Sequence, residues 1–195
     1  CPACRTEYEN PGDRRFHAEP LACPVCGPQL QFYSGEAGII DDSAQALDAC
    51  VAALRAGLIV AVKGVGGYHL LCDAHHDTAI ARLRRLKPRP HKPLAVMFPF
   101  AGEDGLEQVR SAAIVDRDSA ELLLDAARPI VLLEKRTPFP LSTLLAPDLN
   151  EVGVFLPYSP LHALLVNDFG SALVATSANL SGEPVLTDND EAETR

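Results

Sequence analysis

The chain has 195 residues, 47% hydrophobic and 22% charged, a balance that supports one folded core of ordinary size with room for a small appendage. Its formal net charge of -9 argues against a broad nucleic-acid-binding face, which needs excess positive charge. No apolar run reaches the ~20 residues of a membrane span, and no secretory leader pattern opens the chain.

Cys1, Cys4, Cys23 and Cys26 form C-x2-C-x18-C-x2-C. A two-residue gap lets both thiolates of one knuckle face one ion, and two knuckles complete a tetrahedron, so the spacing points to Zn2+. The competing reading is a pair of disulfides in a secreted domain. A closed four-thiolate shell leaves no open position, so the metal's role is structural. His17 lies between the knuckles. It is a possible replacement ligand, although packing beside the site suits it better. Reduced thiols on zinc imply a reducing compartment, and the cytoplasm is the expected location. Residues 1–30 thus read as a zinc-finger-like module and residues 31–42 as a linker.

From residue 43 to 195 the pattern is that of a larger domain. Asp42 or Ser43 caps a predicted helix that runs to Arg55 and ends at Gly57. LIVAVK reads as a strand, GVGG as a turn and YHLLCDA as a second strand. Asp77 caps the next helix, whose apolar face carries Ile80, Leu83 and Leu86, and Pro88 stops it. LAVMF is a buried strand, followed by helices near Glu103–Arg110 and Asp116–Ala127. PIVLLEK and VGVFLP are strands, PLHALLVNDF a helix and SALVATS the last strand. Strands alternating with helices predict an α/β or α+β domain with a mixed sheet. Cys50 and Cys72 fall at apolar positions and read as inert core thiols. The opening on a ligand-type cysteine and the closing TDNDEAETR, a helix start cut short, suggest a piece of a longer protein.

One stretch departs from the acidic character of the rest. Arg82, Arg84, Arg85, Lys87, Arg89 and Lys92 make up six of the 17 basic residues, with no acid among them. Lys87, Arg89 and Lys92 each precede a proline, which restricts the backbone to extended geometry. In an extended chain Lys87 and Arg89 share a face, and in polyproline geometry Arg89 and Lys92 align. Three cations on a stiff backbone suit a small phosphate-bearing anion better than a polyanion. The bland alternative is a solvated charge run at a helix end.

Two further segments carry candidate chemistry. In ATSANLSG, Ser177, Asn179 and Ser181 follow a strand, where open α/β sheets place ligands. In VKGVGGYHL, Lys63 ends a strand and Gly64, Gly66 and Gly67 permit close backbone approach. The latter is neither a P-loop nor a dinucleotide fingerprint, and a plain hairpin turn explains it equally well. His75 and His76 beside Asp77 make a weak metal candidate, because adjacent side chains point apart.

Together these motifs resemble a known family. K-x-R-P-x-x-K-P before an apolar strand, with S-A-N after a later strand, is similar to the YrdC-like domain of threonylcarbamoyl-AMP synthases. RRFHAEPLACPVCGP, VKGVGGYHLLCDA, LPYSPLHALL and TSANLSGEP resemble one branch, the HypF family of carbamoyltransferases that mature NiFe-hydrogenases. The resemblance covers nearly the whole chain. It implies a YrdC-like twisted mixed sheet with flanking helices behind a Cys4 finger, the domain's final part being absent. It implies carbamoyl-adenylate formation from ATP with Mg2+ and carbamoyl phosphate or carbamate. The carbamoyl group then passes to the C-terminal cysteine of HypE, as a precursor of cyanide. By position, Lys87, Arg89 and Lys92 take the catalytic role, and Lys63, Tyr68, Ser177 and Asn179 bind substrate, with Ser181 nearby. Glycines in the first substrate loop, where synthases carry threonine, imply a small acyl group. A zinc-stabilised RNA-binding module without catalysis is the alternative, and the net charge of -9 counts against it.

Overall fold

A computed structural model describes residues 1–18, 23–35, 38–87, 92–179 and 182–194. Two compact units divide the chain, Cys1–Ala49 and Cys50–Arg195. The division falls inside a helix, a few residues beyond the boundary expected at residues 42–43.

In the first unit, helix α1 (Pro2–Glu9) opens with proline at its first position, where the missing N–H leaves no bond unmade. The segment 31–42, expected to be a linker, holds a hairpin instead. Strand β1 (Phe32–Ser34) pairs antiparallel with β2 (Gly38–Ile40), Phe32 opposite Ile40. Aromatic and β-branched residues flank a short loop there, a hairpin pattern that outweighs the polar surroundings. Helix α2 (Ser43–Arg55) crosses the division. Its cap is Asp42, whose carboxylate accepts from Ala44 N at 3.1 Å and Gln45 N at 2.9 Å. Ser43 instead accepts from Leu30 N at 2.9 Å.

The second unit is built on one six-stranded sheet. Its strands are β3 (Val60–Lys63), β4 (Tyr68–Asp73), β5 (Val96–Met97), β6 (Val131–Glu134), β7 (Glu151–Phe155) and β8 (Leu173–Ser177), in spatial order β3-β4-β8-β5-β7-β6. Among the described strands only β5 and β7 are parallel neighbours and the other pairs are antiparallel, so the sheet is mixed as expected. The helices are α3 (Asp77–Leu86), α4 (Glu107–Ala112), α5 (Arg117–Leu124), α6 (Pro160–Phe169) and α7 (Asn189–Thr194). Ile80, Leu83, Val96, Phe98, Leu106, Val109, Leu123, Val154 and Val174 form the core. Cys50 and Cys72 are buried, and burial pushes their thiols up to about 11 and about 12, so neither is reactive.

Three expectations change. His76, not Asp77, caps α3: its Nδ1 accepts from Ala79 N at 3.1 Å. Leu86 is 61% exposed rather than buried, because the chain leaves helical geometry at Lys87 (φ -116°, ψ 90°), as the following proline demands. Strand β5 keeps only two residues of LAVMF. Leu94 and Phe98 on its flanks still donate to Leu145 O and Phe155 O, so the segment's backbone is satisfied.

Candidate functional site

Three strand ends meet at one edge of the sheet. β3 finishes at Lys63, β4 begins at Tyr68, and β8 finishes at Ser177, which lies opposite His69. Side chains alternate faces along a strand, so Val62, His69 and Ser177 line one face while Lys63 and Tyr68 line the other. Helix α3 packs on the second face, where Ile80 and Leu83 meet Cys72 and Val174, and Lys87 at its end reaches the tip of β8.

Lys87 is the pivot of that strand end. Only 4% of it is exposed. Its ammonium donates to the Ser177 carbonyl, to Asn179 Oδ1 at 3.3 Å, and to Ser177 Oγ and Thr176 Oγ1, each at 3.4 Å. Ser177 Oγ donates to Asn179 Oδ1 at 2.6 Å, and Asn179 Nδ2 donates to Glu183 O at 2.6 Å. That last bond orients the amide and turns its oxygen toward the cation. The pre-proline lysine and the Ser–Asn pair are thus joined in space, although 90 residues separate Lys87 from Ser177.

The other nominated residues divide. Lys63 Nζ and Tyr68 Oη both donate to Asn189 Oδ1, at 2.7 and 2.9 Å, on the opposite face of the strands. Lys92 is exposed, and its carbonyl accepts from Arg84 at 3.2 Å. Its ammonium is not among the described groups that meet Lys87. Arg89 and Ser181 lie outside the described residues. Arg84 belongs to the scaffold: its guanidinium donates to Leu144 O at 2.8 Å and Leu145 O at 3.2 Å. His75 pairs with Asp73 at 3.2 Å while His76 caps α3, so the two histidines serve different partners.

A second cluster escaped the sequence reading. His69, Tyr158 and His162 pack their rings together, with centroids 5.4 Å apart for His69–His162 and 4.7 Å for Tyr158–His162. Tyr158 Oη lies 3.4 Å from the His69 ring nitrogens. Ser159, the N-cap of α6, places Oγ 2.7 Å from His162 Nδ1. Gly64 faces this cluster. A Cβ there would lie 2.9 Å from Tyr158 Oη and 3.1 Å from both His162 Cε1 and His69 Nδ1. Burial lowers the His69 imidazole below its ordinary range, and the nearby Lys87 charge lowers it further. The available signal was YSPLH: a helix cap, a proline at the first helical position, and a histidine in the first turn.

In the first unit, the four cysteine Sγ atoms lie within 4.8 Å of one another. Neighbouring pairs are 3.5 to 3.7 Å apart, against about 3.8 Å for a tetrahedron with ~2.3 Å zinc–sulfur bonds. Backbone N–H groups of Cys26 and Val25 lower the Cys23 thiol to about 7, while the neighbouring thiols raise Cys4 to about 11. The donor set fits a structural zinc ion. His17 stacks on Phe16 at 4.0 Å and lies 4.9 Å from Tyr8, so it packs beside the site.

Comparison with known proteins agrees with this division. The Sua5_yciO_yrdC family model, described as "Telomere recombination", matches residues 52–195, and the "HypF finger" model matches residues 1–33. The carbamoyltransferase HypF of Rhodobacter capsulatus is 50% identical over 192 residues, covering 98% of this chain and 24% of that protein. A crystal structure of full-length HypF in its phosphate- and nucleotide-bound form superimposes with a TM-score of 0.84 at 42% identity, covering 100% of this chain and 24% of that one. Threonylcarbamoyl-AMP synthase of Stenotrophomonas maltophilia is 32% identical over 153 residues, covering 76% of this chain and 80% of that protein. The chain therefore spans about a quarter of the length of its HypF relatives. No described helix is long and apolar enough to cross a membrane.

Proposed function

The chain belongs to the Sua5–YciO–YrdC family, in the branch that carries a HypF finger, and from that premise we propose that its larger unit forms carbamoyl-adenylate from ATP and carbamate. The observation that carries the reading is the Lys87 ammonium, buried and aimed at Ser177 and Asn179. Carbamate arises from carbamoyl phosphate by hydrolysis, in which water adds to the carbamoyl group and phosphate leaves. One of its oxygens attacks the α-phosphorus of Mg2+-bound ATP, forming a P–O bond while the α–β bridging P–O bond breaks and pyrophosphate leaves. Such transfers depend on positioning and charge neutralisation rather than on a protein nucleophile. Lys87 supplies a fixed cation, and Ser177 and Asn179 supply short polar groups that orient oxygens. Arg89, two residues beyond Lys87, supplies the second cation of the K-x-R pair. Lys92 extends the basic stretch, Ser181 follows the Ser–Asn pair, and Lys63 and Tyr68 contribute to nucleotide binding from the face on which α3 packs.

In a longer HypF-like protein the carbamoyl group passes on to a HypE cysteine in the cytoplasm, toward the cyanide ligands of NiFe-hydrogenase. Zinc on Cys1, Cys4, Cys23 and Cys26 would supply structure and no chemistry.

The test is carbamoyl-phosphate-dependent ATP–pyrophosphate exchange. Losing one preorganised donor removes ~3 kcal/mol of transition-state stabilisation, so Lys87→Met and Arg89→Ala each reduce exchange roughly 100-fold. Exchange at the unmodified rate in both variants would contradict the proposal.

A further inference from the structure

His162 is a buried group that adenylate formation, as described above, leaves unused. It has 0% exposure, and its Nε2 has no hydrogen-bond partner among the described residues. The wiring around it favours one tautomer, because the Ser159 hydroxyl proton finds an acceptor among the described residues only at His162 Nδ1. Ser159 Oγ already accepts the backbone N–H of His162 at 3.3 Å, as a helix cap does. The hydroxyl proton is then left to donate to His162 Nδ1 at 2.7 Å. A neutral ring with Nδ1 accepting carries its own proton on Nε2. The orphan atom is therefore an N–H donor without an acceptor, in a place that burial keeps uncharged: the ring is pushed down to about 4.

Its surroundings indicate what it would take. The His69 and Tyr158 rings stand beside it, and Gly64 closes over all three without a Cβ. His69 lies opposite Ser177 in the sheet with its side chain on the same face, so the ring cluster adjoins the Ser177 hydroxyl that Lys87 contacts. The cation suits phosphate oxygens. A neutral N–H between aromatic walls suits an oxygen of a small planar group, and it offers no charge to hold a phosphate in its place.

We infer that His162, oriented by Ser159 and walled by His69 and Tyr158, recognises the carbamoyl end of the substrate through its Nε2–H and limits the size of the acyl group admitted. This rests on the carbamoyl-adenylate reading and adds a specificity-determining residue to it.

The experiment uses the 195-residue chain labelled with 15N and titrated with carbamoyl phosphate, and separately with ATP. In the unmodified chain the His162 Nε2–H resonance shifts with carbamoyl phosphate and saturates. His162→Phe keeps a ring and removes the donor, so Kd for carbamoyl phosphate rises about tenfold while Kd for ATP stays within about twofold. His162→Gln, which retains an N–H, recovers part of the loss and serves if the Phe variant does not fold. An unmoved resonance, or unchanged carbamoyl phosphate affinity in a folded variant, overturns the inference. Pyrophosphate exchange separates the two claims. If the chain shows no exchange but His162 responds, the recognition site stands and the reaction falls. If exchange proceeds but His162 is silent, only the inference falls.

Discussion

Gly64 offers a direct measure of how tightly the ring cluster is built. Alanine at this position places one methyl group 2.9 Å from Tyr158 Oη and 3.1 Å from His162 Cε1 and His69 Nδ1. All three contacts are closer than ordinary van der Waals separation. Tyr158 is 38% exposed and has room to swing outward, but His162 is fully enclosed and has none. Overpacking of this kind costs 1–3 kcal/mol, and with one yielding neighbour and one fixed neighbour we expect about 2. For a domain of this size each kcal/mol lowers Tm by roughly 2–4 °C, so Gly64→Ala lowers it by about 4–8 °C. Gly66 is the internal control. It lies two residues along the same turn, nothing lies within 4 Å of its would-be Cβ, and its φ is not in the left-handed region. Gly66→Ala should be neutral, or stabilising by up to about 1 kcal/mol, because it removes only unfolded-state freedom. Calorimetry of both variants decides the matter. Equal transitions, or the larger loss in Gly66→Ala, would refute the packing argument.

The remaining predictions concern pH, metal and core. The His162 imidazole is held near 4 against 6.5 for an ordinary one, so the folded chain refuses a proton that the unfolded chain accepts. Its contribution is complete above pH 6.5 and is lost as pH falls from 6.5 toward 4, with a limiting slope of about 1.4 kcal/mol per pH unit. His69, also lowered, acts in the same direction. Urea midpoints of the parent chain should fall across this window, and His162→Phe should flatten the decline; an equal slope in the variant would count against it. A strong chelator should remove one zinc per chain by elemental analysis and abolish the finger's contribution to circular dichroism, while the thermal transition of the unit 50–195 persists. Leu83→Ala deletes a fully buried side chain of α3 and should cost 2–5 kcal/mol in urea unfolding. Asn179→Ala removes both the acceptor of Ser177 and the donor to Glu183 O, so ATP affinity should weaken at least several-fold by calorimetry.

Local rules carried much of this architecture. Short apolar runs located the strands at 60–63, 68–73, 131–134, 151–155 and 173–177, since each buries side chains and has turn residues at its ends. The four-cysteine spacing located the metal site because coordination geometry is itself short-range. Lys87 with Ser177 and Asn179 was legible as two motifs, and the sheet order then joined them. What stayed hidden depended on long-range registry. Lys63 and Tyr68 sit in a loop that reads as one site with Ser177, yet strand alternation sends them to the opposite face, onto Asn189. His69, Tyr158 and His162 belong to segments 89 residues or more apart at their first junction, and no spacing rule links them. Arg84 read as part of an anion patch, but its guanidinium satisfies two carbonyls of a neighbouring turn.

The bridge from Asn189 to Lys63 and Tyr68 has a mechanical corollary. One amide oxygen ties the start of the last helix to strands laid down more than 120 residues earlier, and Leu186 reinforces the knot by bonding the backbone of both Tyr68 and Ala178. Tension applied beyond Thr194 would therefore reach Lys63 and Tyr68 together, and the immediate neighbour of Tyr68 is His69. The segment from Leu186 to Asn189 is thereby coupled to the strand that carries the ring cluster.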